Sequence, residues 1–164
     1  MKVHFFDVNN MVIYLNDFHT KELDITNKKV LESYFKILFL KLYQTHQIEV
    51  HGYFNIMIYH DTNYGAIIEL KKEDSDYYEY YDSSIDMKII IDKESLFLYE
   101  IEDLFEVDEQ LLKDSQVYYY NNKFYLKLLE KIDHIYLGQL LEHAKIVYKD
   151  THKIVICGKE IQFP

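Results

Sequence analysis

The stretch VYYYNNKFYLKL, residues 117–128, leaves the backbone little choice. Val, Tyr and Phe are β-branched or aromatic and favour a pleated strand. Asn121-Asn122 interrupts them with two residues that tolerate positive φ, which a two-residue hairpin turn requires. Strands over 117–120 and 124–128, paired antiparallel across that dipeptide, are therefore predicted. Side chains alternate along a strand, so Tyr118 and Tyr120 must share one face and Tyr119 must take the other.

The same grammar recurs along the chain. Residues 2–6 and 11–15 are apolar runs around Asn9-Asn10 and read as a first hairpin. Val30, Leu31, Tyr34, Phe35, Leu38 and Leu42 then recur at helical spacing after Thr26 or Asn27, either of which can cap a helix over about 27–46. IEVHGYFNIMIYH and YGAIIELKK read as strands around Asp61-Thr62-Asn63, with Gly52 marking a bulge or a close backbone approach. MKIII is a further strand, and the acidic residues near VDEQLLKD predict a short helix at about 100–113. Asp133 can cap a helix carrying Ile135, Leu137, Leu140, Leu141 and Ala144. KIVICGKEIQF reads as a closing hairpin around Gly158-Lys159.

Residues 73–86, EDSDYYEYYDSSID, break the pattern with six carboxylates, four tyrosines and no lysine. They read either as a solvated connection or as an acidic, aromatic docking patch for a basic partner. The expected fold is α+β: an N-terminal subdomain over 1–72, a connection over 73–85 and a C-terminal subdomain over 86–164. Each subdomain is expected to hold an antiparallel sheet with a helix packed on one face.

Composition narrows the function. Nearly half of the 164 residues are apolar, enough for a real core. The formal net charge is -10, and all 18 basic residues are lysine. Such a chain repels nucleic acid and lacks the arginine fork that clamps phosphate or guanine. Cys157 is the single cysteine, which suits a reducing compartment. The start MKVHFFDVNNMVIYL lacks the apolar segment and cleavage site of a signal peptide, and no run has the length of a membrane helix. A cytoplasmic protein that engages neither nucleic acid nor membrane is expected.

Motifs that carry chemistry are sparse. His60-Asp61 is the nearest thing to an acid–base pair, and it sits beside a turn. His134 and His143 do not share a helix face at metal-ligand spacing. Cys157 reads as a small core residue on a strand rather than a nucleophile. Gly52, Gly65, Gly138 and Gly158 are isolated, so there is no glycine-rich phosphate loop. No catalytic, cofactor-binding or metal-binding residue is assigned. The features that stand out are surfaces: Phe39, Leu40 and Tyr43 on or beside the otherwise polar side of the first long helix, and Tyr118, Tyr119, Tyr120 and Tyr125 of the aromatic hairpin. These seven are the candidate protein-binding residues.

QVYYYNNKFYLKL, followed by LLEHA and by the Gly-Lys turn of CGKEI, resembles the C-terminal domain of the MecA family of adaptor proteins. MKVHFFDVNNMVIYL and EVHGYFNIMIYHDTNYGAIIEL resemble its N-terminal domain. The resemblance covers most of the chain in order. It departs from the family in having only residues 73–86 where a long charged linker is usual, and in lacking arginine. It implies a non-enzymatic adaptor that links a substrate protein to a Clp-type ATPase, with the C-terminal half making the ATPase contact. The alternative is a self-associating structural or regulatory domain, a homo-oligomer unrelated to proteolysis. A small hydrolase stands third.

Overall fold

Short polar turns join consecutive strands in both halves of the chain. The computed structural model describes residues 1–7, 9–21, 23–47, 52–73, 85–92 and 95–163. It divides into two compact units, residues 1–93 and 94–164, each α+β around its own five-stranded sheet.

In the first unit, β1 (Lys2–Phe5) and β2 (Asn10–Leu15) pair antiparallel. Their link is held by Asp7, whose Oδ1 accepts from the backbone N–H groups of Asn9 at 2.7 Å and Asn10 at 2.8 Å. The Asn10 side chain adds further hydrogen bonds, and together these hold the Asp7 carboxyl below the usual range. A short helix α1 (Asp17–Thr20) follows. Helix α2 (Lys28–His46) starts at Asn27, whose Oδ1 accepts from the N–H groups of Lys29 and Val30. It ends at Gln47 in the left-handed region.

β3 (Gly52–Asp61) and β4 (Gly65–Glu73) form a long antiparallel pair in register at Ile56–Leu70 and Ile58–Ile68. At their turn, Asp61 accepts from the N–H groups of Asn63 and Tyr64. Gly65 follows at φ +113°, and a Cβ there would collide with the Leu15 carbonyl. Alternate residues of three strands, Ile13, Ile58 and Ile68 among them, point to one side and pack under Leu31, Phe35, Leu38, Phe39 and Leu42 of α2.

MKIII lies in β5 (Ile85–Asp92), and β5 joins the first sheet, parallel to β3, in the order β1-β2-β4-β3-β5. The first sheet is thus antiparallel except for the β3–β5 pair, in keeping with the expected α+β class, and β5 belongs to the first compact unit, residues 1–93. Hydrogen bonding to a distant strand decides which sheet β5 belongs to, and that partner cannot be read locally. Residues 74–84 of the acidic stretch, and with them its reading as a connection or docking patch, lie outside the described residues, as does the segment 48–51.

The second sheet runs β10-β7-β8-β6-β9 and is antiparallel throughout. Its strands are β6 (Leu98–Ile101), β7 (Ser115–Tyr120), β8 (Lys123–Leu128), β9 (Ala144–Val147) and β10 (Lys159–Ile161). β7 and β8 pair as predicted, with Asn121 at φ 49° and Asn122 at φ 62°. β6 is followed by a 3-10 turn at Leu104–Glu106, and the short helix expected at about 100–113 is α3 (Glu109–Lys113), confined to the end of that range. Asp133 caps α4 (His134–His143), accepting from the Ile135 N–H at 2.7 Å.

The expected closing hairpin is corrected. Its first arm is helix α5 (Thr151–Cys157), and only Lys159–Ile161 is strand. Thr151 lies one turn before Ile154 and Val155, and Ile154 and Val155 pack on Leu98, Tyr118 and Tyr125. That burial outweighs the β preference of Ile and Val.

Candidate functional site

The segment EDLFEVDEQLLKD, residues 102–114, carries six carboxylates and one lysine among five large apolar residues. Asp103 caps the 3-10 turn by accepting from the Phe105 N–H at 2.9 Å. Asp108 caps α3 by accepting from the N–H groups of Gln110 and Leu111. The two caps fix the chain on either side of Val107, which is buried, as is Leu112. With the backbone held this way, the Phe105 ring is driven outward and is 99% exposed.

Phe105 is the ridge between two grooves. The first has a volume of about 470 Å³ and lies between this segment and α4, which contributes Tyr136, Gln139, Leu140 and His143 at helical spacing. His143 Nδ1 stands 3.2 Å from a Glu106 carboxylate oxygen across it. The second groove, about 670 Å³, is floored by Leu104, Leu112, Phe124 and Phe163 and edged by Glu102, Asp103 and Glu109. The first mixes polar and apolar lining, whereas the second is apolar in the middle, and its rim carries Lys113, 2.8 Å from Glu109, beside the acids.

The aromatic hairpin contributes unequally. Tyr118 is 5% exposed and Tyr125 is buried opposite it, so these two are core under α5, with Tyr120 partly buried beside them. Burial pushes both hydroxyls above the usual tyrosine range, with Glu160 adding to the shift at Tyr118 and Glu100 at Tyr125. Tyr119 lies on the opposite face, 39% exposed, with its ring 5.2 Å from that of Phe124 and its hydroxyl donating to Asn122. Tyr119 thus stands against Phe124, which lines the second groove.

The stripe on α2 needs a similar correction. Phe39 is 0% exposed and packs on Phe54, ring centroids 4.6 Å apart, so it is core and not contact surface. It sits where the polar and apolar faces of the helix meet, and the sheet below reaches far enough round to cover it. Leu40 and Tyr43 are exposed at 56% and 54%, and Ile37 joins them at i, i+3 and i+6. Lys36 and Lys41 flank this ridge and are exposed.

His60 lies on β3, and the carboxylate of its neighbour Asp61 is engaged by the turn. Cys157 is exposed at the end of α5 rather than buried on a strand. Among the described residues no three of His, Cys, Asp or Glu come together as metal ligands, and no helix is long and apolar enough to cross a membrane. The groove residues were not singled out by sequence reasoning. The signal for them is the tight mixture of acids and large apolar residues over 102–112, which equally describes an ordinary solvated helix. Comparison with family models, curated proteins and solved structures finds no match to this chain.

Proposed function

We propose that this chain is a non-enzymatic protein-binding module, a cytoplasmic adaptor of the MecA type that links a substrate protein to a Clp-type ATPase. The observation that carries the reading is Phe105, a large ring left wholly in water between two grooves, the second of them apolar, by a firmly capped backbone. Exposed aromatic rings beside apolar clefts mark contact surfaces, and aromatic side chains are the usual anchors of such contacts. In this reading the second unit docks on the ATPase. The first unit meets the substrate through Leu40 and Tyr43.

The test is titration of a purified Clp-type ATPase with the full-length chain and with Phe105→Ser. Wild type binds, and the variant binds about thirtyfold more weakly, a loss near 2 kcal/mol as for an interface anchor. Its melting temperature is unchanged. A folded wild type that shows no binding overturns the adaptor reading. The second reading, a self-associating domain, is favoured by the lysine-flanked ridge on α2, whose chemistry is the converse of the grooves.

A further inference from the structure

Helix α2 carries Lys28, Lys29, Lys36 and Lys41 against a single acid, Glu32, in a chain whose net charge is -10. Lys28 is paired with Glu32, whereas Lys36 and Lys41 form no ion pair among the described residues. Between them runs the exposed apolar ridge Ile37, Leu40 and Tyr43, about 9 Å long at helical rise. The grooves beside Phe105 reverse the charge: the first carries Glu106, Asp108 and Glu142 among its apolar residues, and the second has an apolar floor edged by Glu102, Asp103 and Glu109, the last ion-paired with Lys113 at 2.8 Å.

We infer that the chain self-associates, the α2 ridge of one copy lying in the Phe105 grooves of another. The fit is the helix-in-groove mode, in which residues spaced i, i+3 and i+6 meet an apolar cleft and flanking charges set orientation. Ridge and groove are different patches, so reciprocal exchange gives a two-fold dimer and one-way docking gives head-to-tail assemblies. Complementary charge at the rims steers encounter and suppresses the groove–groove and ridge–ridge alternatives, where like charges would meet. The inference rests on the grooves being a protein-docking surface, as proposed above, but not on the identity of the ATPase.

The experiment is sedimentation equilibrium of the full chain and of two charge-reversed variants. One is Lys36→Glu/Lys41→Glu, the other Glu106→Lys/Glu142→Lys; all four side chains are exposed. Wild type is expected above its monomer mass of 20.0 kDa at micromolar concentration, falling toward it in 1 M salt, where the screening length is about 3 Å. Each variant alone is expected at monomer mass with its melting transition intact. An equimolar mixture of the two regains association, because the acidic groove of the first meets the basic ridge of the second and the reversed pair is also opposite in sign. A third variant, Leu40→Ser, lowers association without altering charge. Wild type that stays at monomer mass throughout overturns the inference, as does a mixture that fails to regain association or a charge-reversed variant that associates like wild type. Titration of the ATPase with Lys36→Glu/Lys41→Glu, whose grooves are unchanged, reports on the adaptor reading separately.

Discussion

Neighbouring positions on α2 have opposite fates, and the difference is set by what lies beneath each. Phe39 and Leu40 are adjacent in sequence and similar in hydrophobicity. The Phe39 ring meets Phe35 and Phe54, while Leu40 meets solvent. Phe39→Ala is therefore expected to cost about 3–5 kcal/mol, the lost transfer energy plus the cavity left under the helix. Leu40→Ser and Tyr43→Ser are expected to stay within about 0.5 kcal/mol of wild type. Denaturant unfolding monitored by circular dichroism checks all three, and similar costs for Phe39→Ala and Leu40→Ser would show the helix face to be assigned wrongly. A helical wheel can place Phe39 only at the border between the faces. How far the sheet extends under that border is a tertiary fact.

At the scale of elements, the β7–β8 hairpin is specified locally and α5 is not. Asn121 and Asn122 both adopt positive φ, which costs a residue such as alanine roughly 1–2 kcal/mol. Asn121→Ala/Asn122→Ala should thus lower stability by about 2 kcal/mol, and Asn122→Gly should leave it unchanged or raise it slightly; thermal melts of the two variants decide. The helices offer a second contrast between two glycines. Gly138 lies in α4 with nothing within 4 Å of an added Cβ, so Gly138→Ala is expected to stabilise by about 1 kcal/mol. Gly158 follows α5 directly, where its N–H bonds to the Ile154 carbonyl at 2.8 Å and a Cβ would press into that same oxygen. Gly158→Ala is expected to destabilise. If both alanines shift the melting temperature in the same direction, the turn after α5 is not as tight as described. The Gly-Lys pair looks like a hairpin dipeptide in sequence, yet it serves as a helix stop because Ile154 and Val155 find their burial against Tyr118 and Tyr125.

The whole molecule is acidic, and its basic residues are all lysine. A net charge of -10 repels phosphate backbones overall, and the four lysines of α2 alone release few counterions. Duplex DNA is expected to bind more weakly than micromolar at physiological salt, as read by fluorescence anisotropy; a tighter, salt-sensitive complex would show that the α2 lysines act as a nucleic-acid patch.

Patterning by itself determined the α+β class, the first hairpin between β1 and β2, the hairpin at Asn121-Asn122, the Asn27-capped helix and the alternation that separates Tyr119 from Tyr118. Each follows from interactions within a few residues: turn conformations open to asparagine, a cap within one helical turn, and the two-residue period of a strand. Tertiary structure alone decided that β5 pairs with β3 in the first unit, that 151–157 is helical, that Phe39 is core and that Phe105 is bare. These outcomes depend on which surface from a distant part of the chain arrives at a residue, and burial of that kind has no local signature.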